Sequence, residues 1–305
     1  MKEIALKTFA KINLSLKIIN KLKNGYHNID SIFTSIDLAD LIKIKLYKED
    51  ELSKKEKAKY IDNVRIVSNN KGLPKGKTNI IYKVINLIKY KIKNKYYFTI
   101  YINKKIPISA GLGGGSSNAA GVYLGILRLL NTKLKNISNR ELAYKIGADV
   151  PFFINGGTAR VSGVGEKISK LKYKSNVYIV LVNPDYEIST KWVYKEYDKF
   201  RTKNKVILLD RKPLRNIFDN NALLNIGNDL EKIVLKKHAK LSIIKTKLLE
   251  MGAYYSQLSG SGPTIFGLFK NKNIAKKAVK YFITQGYWAR LVTPYNQGIL
   301  FKTKK

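Results

Sequence analysis

The sequence has no cysteine, only two histidines and no long apolar run, and each scarcity excludes a class of protein. Without cysteine there can be no disulfide, no thiolate nucleophile and no Cys-ligated zinc or iron–sulfur site. His27 and His238 are too few for a histidine-rich metal site. No stretch approaches the roughly 18 consecutive apolar residues of a membrane-spanning helix. A strand-like pattern starts at the first residues and leaves no room for a targeting peptide, so we expect a cytoplasmic protein that does not enter the membrane.

Acidic residues are also scarce, because 21 Asp and Glu stand against 58 Lys and Arg, which gives a formal net charge of +37. A nucleic-acid or anionic-surface binder is one interpretation of such a charge. Compositional drift is the other, and it is favoured because lysine occurs at nearly every polar position and does not collect in one arm or helix. Under either interpretation, the positive field favours polyanionic substrates such as nucleotides.

The order of strand and helix patterns predicts an α+β protein in two parts. Alternation over 4–19, the Asn-Gly turn within 24–29 and a second strand-like run at 29–38 predict a β-hairpin. The remaining pattern predicts helices at 78–92, 116–130, 138–147, 190–200, 274–286 and two within 228–252, strands at 95–106, 175–184, 254–270 and 287–293, a charged loop at 48–60 and a looser stretch at 201–220. We place the domain boundary near residue 170, which divides the chain into 1–170 and 171–305.

The most informative segment is "PISAGLGGGSS", residues 107–117, which lies between a predicted strand and a predicted helix. A glycine-rich turn of this kind presents backbone N–H groups and a helix N-terminus to an anion. A Walker-type loop requires Gly-Lys-Ser or Gly-Lys-Thr after its glycines. It is excluded because Gly115-Ser116-Ser117 contains no lysine. A dinucleotide fingerprint is excluded because serine takes the place of its last glycine and 130–137 contains no acidic residue. A merely flexible loop remains an alternative.

This loop resembles the phosphate loop of the GHMP kinases, Pro-x-x-x-Gly-Leu-Gly-Ser-Ser-Ala-Ala, with two added glycines and an asparagine. The form "GLGGGSSNAA" is similar to the branch of that family that acts on 4-diphosphocytidyl-2-C-methyl-D-erythritol. Residues 10–33 resemble the N-terminal hairpin of the branch, 147–168 its catalytic segment and 258–269 the third glycine motif of the family. The four motifs occur in the family's order and run through nearly the whole chain.

The resemblance implies a fold, a reaction and a set of nucleotide contacts. The fold would combine a ribosomal protein S5 domain 2-like N-terminal domain with a ferredoxin-like C-terminal domain. The reaction would transfer the γ-phosphoryl group of ATP to the 2-hydroxyl of 4-diphosphocytidyl-2-C-methyl-D-erythritol in non-mevalonate isoprenoid synthesis, with Mg²⁺ on the ATP co-substrate and no metal site built by the protein. The implied ATP-binding residues are Pro107, Ile108, Ser109, Ala110, Gly111, Leu112, Gly113, Gly114, Gly115, Ser116 and Ser117.

The resemblance also assigns roles at the reacting centre. Asp149 would take the proton of the attacking hydroxyl, and Lys11 would pair with Asp149 and stabilise charge on the hydroxyl oxygen. Strand alternation puts Asn13 on the same face as Lys11, where it could orient the methylerythritol hydroxyls. In a chain so rich in lysine, an ordinary surface ammonium remains the alternative for Lys11.

The remaining substrate contacts are implied at two places. Tyr26 and His27, just after the hairpin turn, would recognise the cytidine, with His27 hydrogen-bonding the base. Thr190 would contact the diphosphate, and Tyr194 would stack on the base or, as an alternative, belong to the core. The third motif, 259–262, would close over the transferred phosphate or form only a tight strand turn.

Two other functions remain as alternatives to this kinase. One is a GHMP kinase for a different small alcohol, of the mevalonate or homoserine type, which would have no reason to carry the 24–29 element beside Lys11. The other is a basic RNA-binding protein with steeply salt-dependent binding and no phosphoryl transfer. We expect small-molecule partners without an obligatory nucleic acid, and a monomer or homodimer.

Overall fold

The computed structural model describes residues 1–92, 96–131, 137–172, 176–200, 218 and 227–302. The strands are β1 (Lys2–Lys21), β2 (His27–Lys48), β3 (Val64–Ser68), β4 (Tyr96–Asn103), β5 (Thr158–Gly163), β6 (Lys167–Lys170), β7 (Tyr178–Asn183), β8 (Tyr255–Leu258), β9 (Ile265–Phe269), β10 (Trp288–Val292) and β11 (Ile299–Phe301). The helices are α1 (Lys54–Lys57), α2 (Ile80–Ile92), α3 (Gly114–Leu129), α4 (Asn139–Lys145), α5 (Val150–Asn155), α6 (Thr190–Phe200), α7 (Glu231–Lys237), α8 (Ala239–Glu250) and α9 (Lys272–Thr284).

The first sheet is built around the long β1–β2 hairpin, whose strands have 20 and 22 residues. The strand order is β11-β1-β2-β4-β3, and β5 pairs with β2 and β6. Residues 41–48 of β2 pair with β4, whereas residues 29–34 pair with β5. The hairpin is therefore long enough to form one sheet with two different sets of neighbours, and the predicted β-hairpin is confirmed.

Helix α3 packs closely against the first sheet because it carries glycine where it crosses β1. A Cβ atom at Gly121 would lie 2.4 Å from Thr8 Cγ2, and one at Gly125 would lie 2.5 Å from Ile44 Cδ1. Ala119 and Ala120 are fully buried on the same helix. Small side chains thus let the helix that follows the glycine loop lie directly on the hairpin that carries Lys11.

The second sheet has the order β10-β7-β9-β8, and all its neighbouring strands are antiparallel. Numbered within this sheet, the order is fourth, first, third, second, which is the ferredoxin-like order. Helices α8 and α9 pack on this sheet through a core that includes Leu241, Leu248, Ala278 and Phe282. The predicted fold class, a two-domain α+β architecture with a ferredoxin-like second part, is confirmed.

A separate buried cluster joins the two sheets. It combines Ile12 and Ile32 of the hairpin with Ile179 and Phe266 of the second sheet, and with Leu112 of the glycine loop. The last strand, β11, returns to the first sheet and pairs with residues 6–8 of β1. The division at residue 170 remains a prediction. Within the described ranges, no helix is long and apolar enough to cross a membrane.

Several predicted elements need correction. The 48–60 segment is not wholly loop, because Ser53 caps the short helix α1 through Glu56. The single strand predicted at 254–270 is two antiparallel strands, β8 and β9, with the third glycine motif between them. The pattern also missed β3, β5, β6, α5 and β11, which have three to six residues each. Apart from residue 218, the looser stretch at 201–220 lies outside the described residues.

Candidate active site

One cavity of about 1260 Å³ brings together most of the predicted site residues. It is lined by the β1–β2 hairpin, the glycine loop, the segment before α5, helix α6 and the third glycine motif. The predicted site residues on its wall are Lys11, Asn13, Tyr26, His27, Pro107, Ile108, Ser109, Ala110, Gly111, Gly113, Gly114, Gly115, Ser116, Asp149, Thr190 and Tyr194.

The glycine loop turns tightly into α3, and two of its glycines lie so close to neighbouring backbone or rings that a side chain would not fit. A Cβ at Gly111 would lie 2.2 Å from the carbonyl oxygen of Ser259. Gly113 is the N-cap of α3, in the left-handed region at φ 68°, and no side chain caps the helix there. The first amides of α3 therefore have no intrahelical acceptor and are available to an anion in the cavity.

The loop residues have different environments. Gly115 is exposed, and a Cβ there would meet no atom nearer than Ile80 Cγ2 at 4.0 Å, so the protein itself does not require glycine at this position. In contrast, Leu112 and Ser117 do not line the cavity. Leu112 is buried in the cluster between the sheets, and the Ser117 hydroxyl donates to the Phe9 carbonyl oxygen at 2.6 Å.

Lys11 and Asp149 form an ion pair on the cavity wall, with 3.4 Å between Nζ and Oδ2. Lys11 is only 4% exposed, which excludes the ordinary surface ammonium that composition alone would suggest. Its ammonium also donates to Asn13 Oδ1 at 2.5 Å and lies 4.7 Å from the centre of the Phe33 ring. Asn13 donates in turn to the Ser31 hydroxyl. The predicted shared face of Lys11 and Asn13 is confirmed, and Asn13 holds the ammonium in place.

Asp149 is positioned by the turn that precedes α5, of which it is the N-cap. Asp149 itself has helical dihedrals, φ −84° and ψ −11°, and Pro151 lies in the first turn. The preceding residue, Ala148, lies against Gly165, where a Cβ would be 2.1 Å from the Ala148 carbonyl oxygen. The two halves of the 147–168 motif are therefore in contact, and the second half supports the first.

The third glycine motif packs on both the glycine loop and α6. The Ser259 hydroxyl donates to the Gly111 carbonyl oxygen at 3.0 Å, and the Ser261 and Thr190 hydroxyls are 2.8 Å apart. Buried Asn228 donates to the carbonyl oxygens of Leu258 and Gly260. The motif is thus a turn between β8 and β9 that also lines the cavity, and its closing over the transferred phosphate stays a prediction.

One part of the cavity wall is aromatic. The rings of His27 and Tyr194 lie 4.8 Å apart, and Tyr26, 41% exposed, contacts the edge of Tyr144. Burial of the Tyr194 hydroxyl, together with the charge of Asp149, raises the pKa of this phenol, so it stays protonated at neutral pH. Tyr194 packs against the buried core between the second sheet and its helices, and it also lines the cavity.

Two acidic partners were missed by the sequence reasoning. Asp198 of α6 accepts from His27 Nε2 at 2.7 Å and from Lys21 Nζ at 2.7 Å. Its position four residues after Tyr194 puts both on one helix face, a signal that could have identified it. Asp40 is fully buried and accepts from the ammonium of Lys104 at 2.6 Å, just below the glycine loop. Burial lowers the pKa of Lys104, and the attraction of Asp40 only partly offsets this.

Comparisons with known proteins agree with this geometry. The family description "GHMP kinases N terminal domain" matches residues 79–157, and "GHMP kinases C terminal" matches residues 208–287. A 4-diphosphocytidyl-2-C-methyl-D-erythritol kinase from Thermoanaerobacter pseudethanolicus is 38% identical over 281 residues, covering 91% of each chain. One from Clostridium tetani is 37% identical over 305 residues, covering 98% of this chain and 99% of its own.

Solved structures give the same result at the level of the fold. A crystal structure of 4-(cytidine 5'-diphospho)-2C-methyl-D-erythritol kinase has a TM-score of 0.70 and 25% identity, covering 96% of this chain and all of its own. A homoserine kinase from Cytophaga hutchinsonii has a TM-score of 0.65 at 20% identity, covering 99% and 98%. The sequence identities, the matched domains and the shared fold show that the chain belongs to the GHMP kinases, in the family of the 4-diphosphocytidyl-2-C-methyl-D-erythritol kinases.

Proposed function

We propose that this ATP-dependent kinase phosphorylates the 2-hydroxyl of 4-diphosphocytidyl-2-C-methyl-D-erythritol in the non-mevalonate synthesis of isoprenoid precursors. The observation that carries the proposal is the ion pair of Lys11 and Asp149 inside the cavity that the glycine loop lines. A volume of about 1260 Å³ exceeds that of a typical single-ligand pocket and suits two nucleotide-sized molecules. The names of the relatives support the same acceptor.

In the proposed reaction, Asp149 acts as the base and Lys11 as its electrostatic partner. The acceptor oxygen forms a bond to the γ-phosphorus while the bond from that phosphorus to the bridging oxygen breaks, and ADP leaves. The hydroxyl proton passes to the Asp149 carboxylate, which is 28% exposed and can return it to water. The fixed ammonium of Lys11 stabilises the negative charge that develops on the acceptor oxygen.

Two parts of the cavity wall support an orientation of the substrates. The glycine loop and the first turn of α3 would hold the ATP phosphates, with the adenine against the apolar wall of Leu73, Pro74 and Ile80. The cytidine would lie at the opposite end, beside Tyr26, His27 and Tyr194 on the same cavity wall. Thr190 would contact the diphosphate, and Asn13 beside Lys11 would orient the methylerythritol hydroxyls.

Magnesium fits this site as an ion that arrives with ATP. Within the part of the chain that the structure describes, no three His, Asp or Glu side chains form a cluster that could hold a metal alone. Mg²⁺ commonly keeps several waters and binds substrate phosphates with few protein ligands. The Ser116 hydroxyl, on the cavity wall, would be such a ligand. When bound, the ion would neutralise charge on the phosphates.

A single-turnover assay with γ-labelled ATP, Mg²⁺ and the cytidine-diphosphate alcohol tests the proposal. We expect a new phosphomonoester by phosphorus NMR with the wild-type enzyme, and a rate lower by about 100-fold or more with Asp149→Asn. Asp62→Asn is the matched control, because Asp62 also pairs with a lysine but lies outside the cavity. Transfer to mevalonate or homoserine, but not to this acceptor, would overturn the proposed substrate.

A further inference from the structure

The cytidine end of the cavity contains a three-residue network that the proposed function leaves unexplained. Lys21 and His27 face each other across the β1–β2 hairpin, and one carboxylate of α6 joins them. Asp198 Oδ1 lies 2.7 Å from His27 Nε2, and Asp198 Oδ2 accepts from Lys21 Nζ at 2.7 Å. The His27 side chain is only 7% exposed. The imidazole is thus fixed by a carboxylate that a second charge already balances.

Five residues of helix α6 line this cavity, and three of them share one regular spacing. Thr190, Tyr194 and Asp198 are spaced four residues apart, so they lie on one helix face, and all three line the cavity. Tyr194 lies beside the His27 ring, and Asp198 holds the nitrogen of that ring. Helix α6 therefore lies beside Asp149, the proposed catalytic base, and also orients His27.

The hydrogen bond determines which ring nitrogen carries the proton. An ionised carboxylate only accepts, so Nε2 must be the protonated nitrogen of the imidazole. Partial burial raises the pKa of Asp198, but the hydrogen bonds from Lys21 and His27 outweigh it and hold that pKa below its usual range. Asp198 is therefore ionised at neutral pH. The Lys21 ammonium balances its charge.

We infer that Asp198, balanced by Lys21, is a positioning residue that keeps the His27 imidazole proton on Nε2 and thereby selects cytosine over uracil. In this tautomer Nδ1 is an acceptor, and it can bond only to a donor on the base. The exocyclic amine of cytosine is such a donor, whereas uracil has a carbonyl oxygen at the same position. The inference rests on the proposed function, since it assumes that the cytidine lies beside His27.

The tautomer can be observed in the enzyme without any substrate. A long-range proton–nitrogen NMR spectrum of the nitrogen-15-labelled protein contains signals from two histidines, and His238 serves as the internal reference. We expect His27, assigned by loss of its signals in His27→Gln, to show a protonated Nε2 and an unprotonated Nδ1 at neutral pH. In Asp198→Asn, we expect the two tautomers to mix. A protonated Nδ1 in the wild-type enzyme would overturn the inference.

Nucleotide binding gives the second readout. Calorimetry with CDP and UDP should show a preference for CDP in the wild-type enzyme, reduced at least about tenfold in Asp198→Asn. Glu196→Gln is the matched control, because Glu196 also lies on α6 and pairs with Lys199 but does not line the cavity. If Asp198 had a merely structural role, Asp198→Asn would weaken the binding of CDP and UDP equally. That result would overturn the inference.

Failure of the inference can be told apart from failure of the proposed function. A preference for CDP that survives in Asp198→Asn would overturn the role of Asp198 and leave the cytidine site intact. A wild-type enzyme that binds neither nucleotide would overturn the cytidine site of the proposed function and this inference together. In steady-state kinetics of Asp198→Asn, a positioning role should raise KM for the cytidine acceptor and leave kcat at saturation close to the wild-type value.

Discussion

At the scale of single residues, the proposed reacting centre depends on how one buried ammonium is held. Lys11 touches the Asp149 carboxylate, the Asn13 amide and the face of Phe33. Alternation along β1 predicted the shared face of Lys11 and Asn13, because it depends only on neighbouring positions. The contact with Asp149 follows from the packing of α5 on the hairpin sheet, which no local pattern encodes, and only the resemblance to known kinases indicated it.

Replacing Lys11 should separate its charge from its packing. We expect Lys11→Met, which keeps most of the length of the side chain, to lower kcat by about 100-fold because the charge on the acceptor oxygen loses its nearest cation. KM for ATP should change little, since the glycine loop is untouched. Steady-state kinetics of the purified variant measures both parameters.

Lys17→Met is the control for this change. Lys17 lies on the same strand and also pairs with one aspartate, Asp229, but it is not on the cavity wall. Its kcat should stay close to that of the wild-type enzyme. A Lys11→Met enzyme that retains more than about a tenth of wild-type kcat would contradict the proposed role of Lys11.

At the scale of elements, helix α3 uses its glycines for two different purposes. Gly121 lies on the sheet side, where a Cβ would be 2.4 Å from Thr8 Cγ2 and 2.8 Å from Leu6 Cδ1. Gly115 faces the cavity, where a Cβ would meet no protein atom nearer than Ile80 Cγ2 at 4.0 Å. The sequence predicted the helix to within two residues at its start but could not distinguish these glycines, because their neighbours come from other strands.

Two alanine substitutions test this division. Gly115→Ala should raise the free energy of unfolding by up to about 1 kcal/mol, because alanine favours the helix, yet weaken ATP binding by about tenfold or more. Gly121→Ala should lower the free energy of unfolding by about 1–3 kcal/mol through overpacking and leave ATP affinity near normal. Urea unfolding and calorimetry measure the two quantities. Normal ATP affinity in Gly115→Ala would show that the phosphates do not approach this turn.

The turn before α5 depends on a glycine distant in the sequence. Gly165 has φ +125°, and a Cβ there would lie 2.1 Å from the Ala148 carbonyl oxygen. Gly165→Ala should therefore displace Asp149 and lower kcat by about 10-fold or more, although Gly165 itself touches no reacting group. Gly76→Ala is a suitable control, since a Cβ at Gly76 meets nothing within 4 Å. Unchanged kcat in folded Gly165→Ala would show that the turn accommodates the added methyl group.

At the scale of the whole molecule, the cavity is assembled from segments that are remote in the sequence. Asp198 and His27 are 171 positions apart, and Ser259 and Gly111 are 148 apart. The sequence predicted the motifs and the two-part fold, because glycine loops and strand alternation are local features. It did not predict the partners of His27 or Lys104, since both contacts arise only when separate elements pack together, and the spacing of Tyr194 and Asp198 was the one local signal for the first of them.

The charge of the molecule provides the last prediction. With 58 basic and 21 acidic residues, the positive field should accelerate the encounter with nucleotide substrates, which carry several negative charges. We expect kcat/KM for ATP and for the cytidine acceptor to fall several-fold as NaCl rises from about 20 to about 200 mM, because the Debye length then shortens from about 20 Å to less than 10 Å. Kinetics at saturating substrate should show little change in kcat, since the chemical step takes place after the encounter.

Comparison of acceptors identifies the source of such a salt effect. With a neutral alcohol acceptor in excess over ATP, the salt dependence of kcat/KM should come from the encounter with ATP alone. With the anionic cytidine acceptor, the encounter with that acceptor should add a second salt dependence. A kcat/KM that stays within about twofold over this salt range would show that the lysines act as a diffuse, screened charge with no influence on substrate encounter. Tight RNA binding with a steep salt slope, in the absence of phosphoryl transfer, would instead support the nucleic-acid interpretation of the charge.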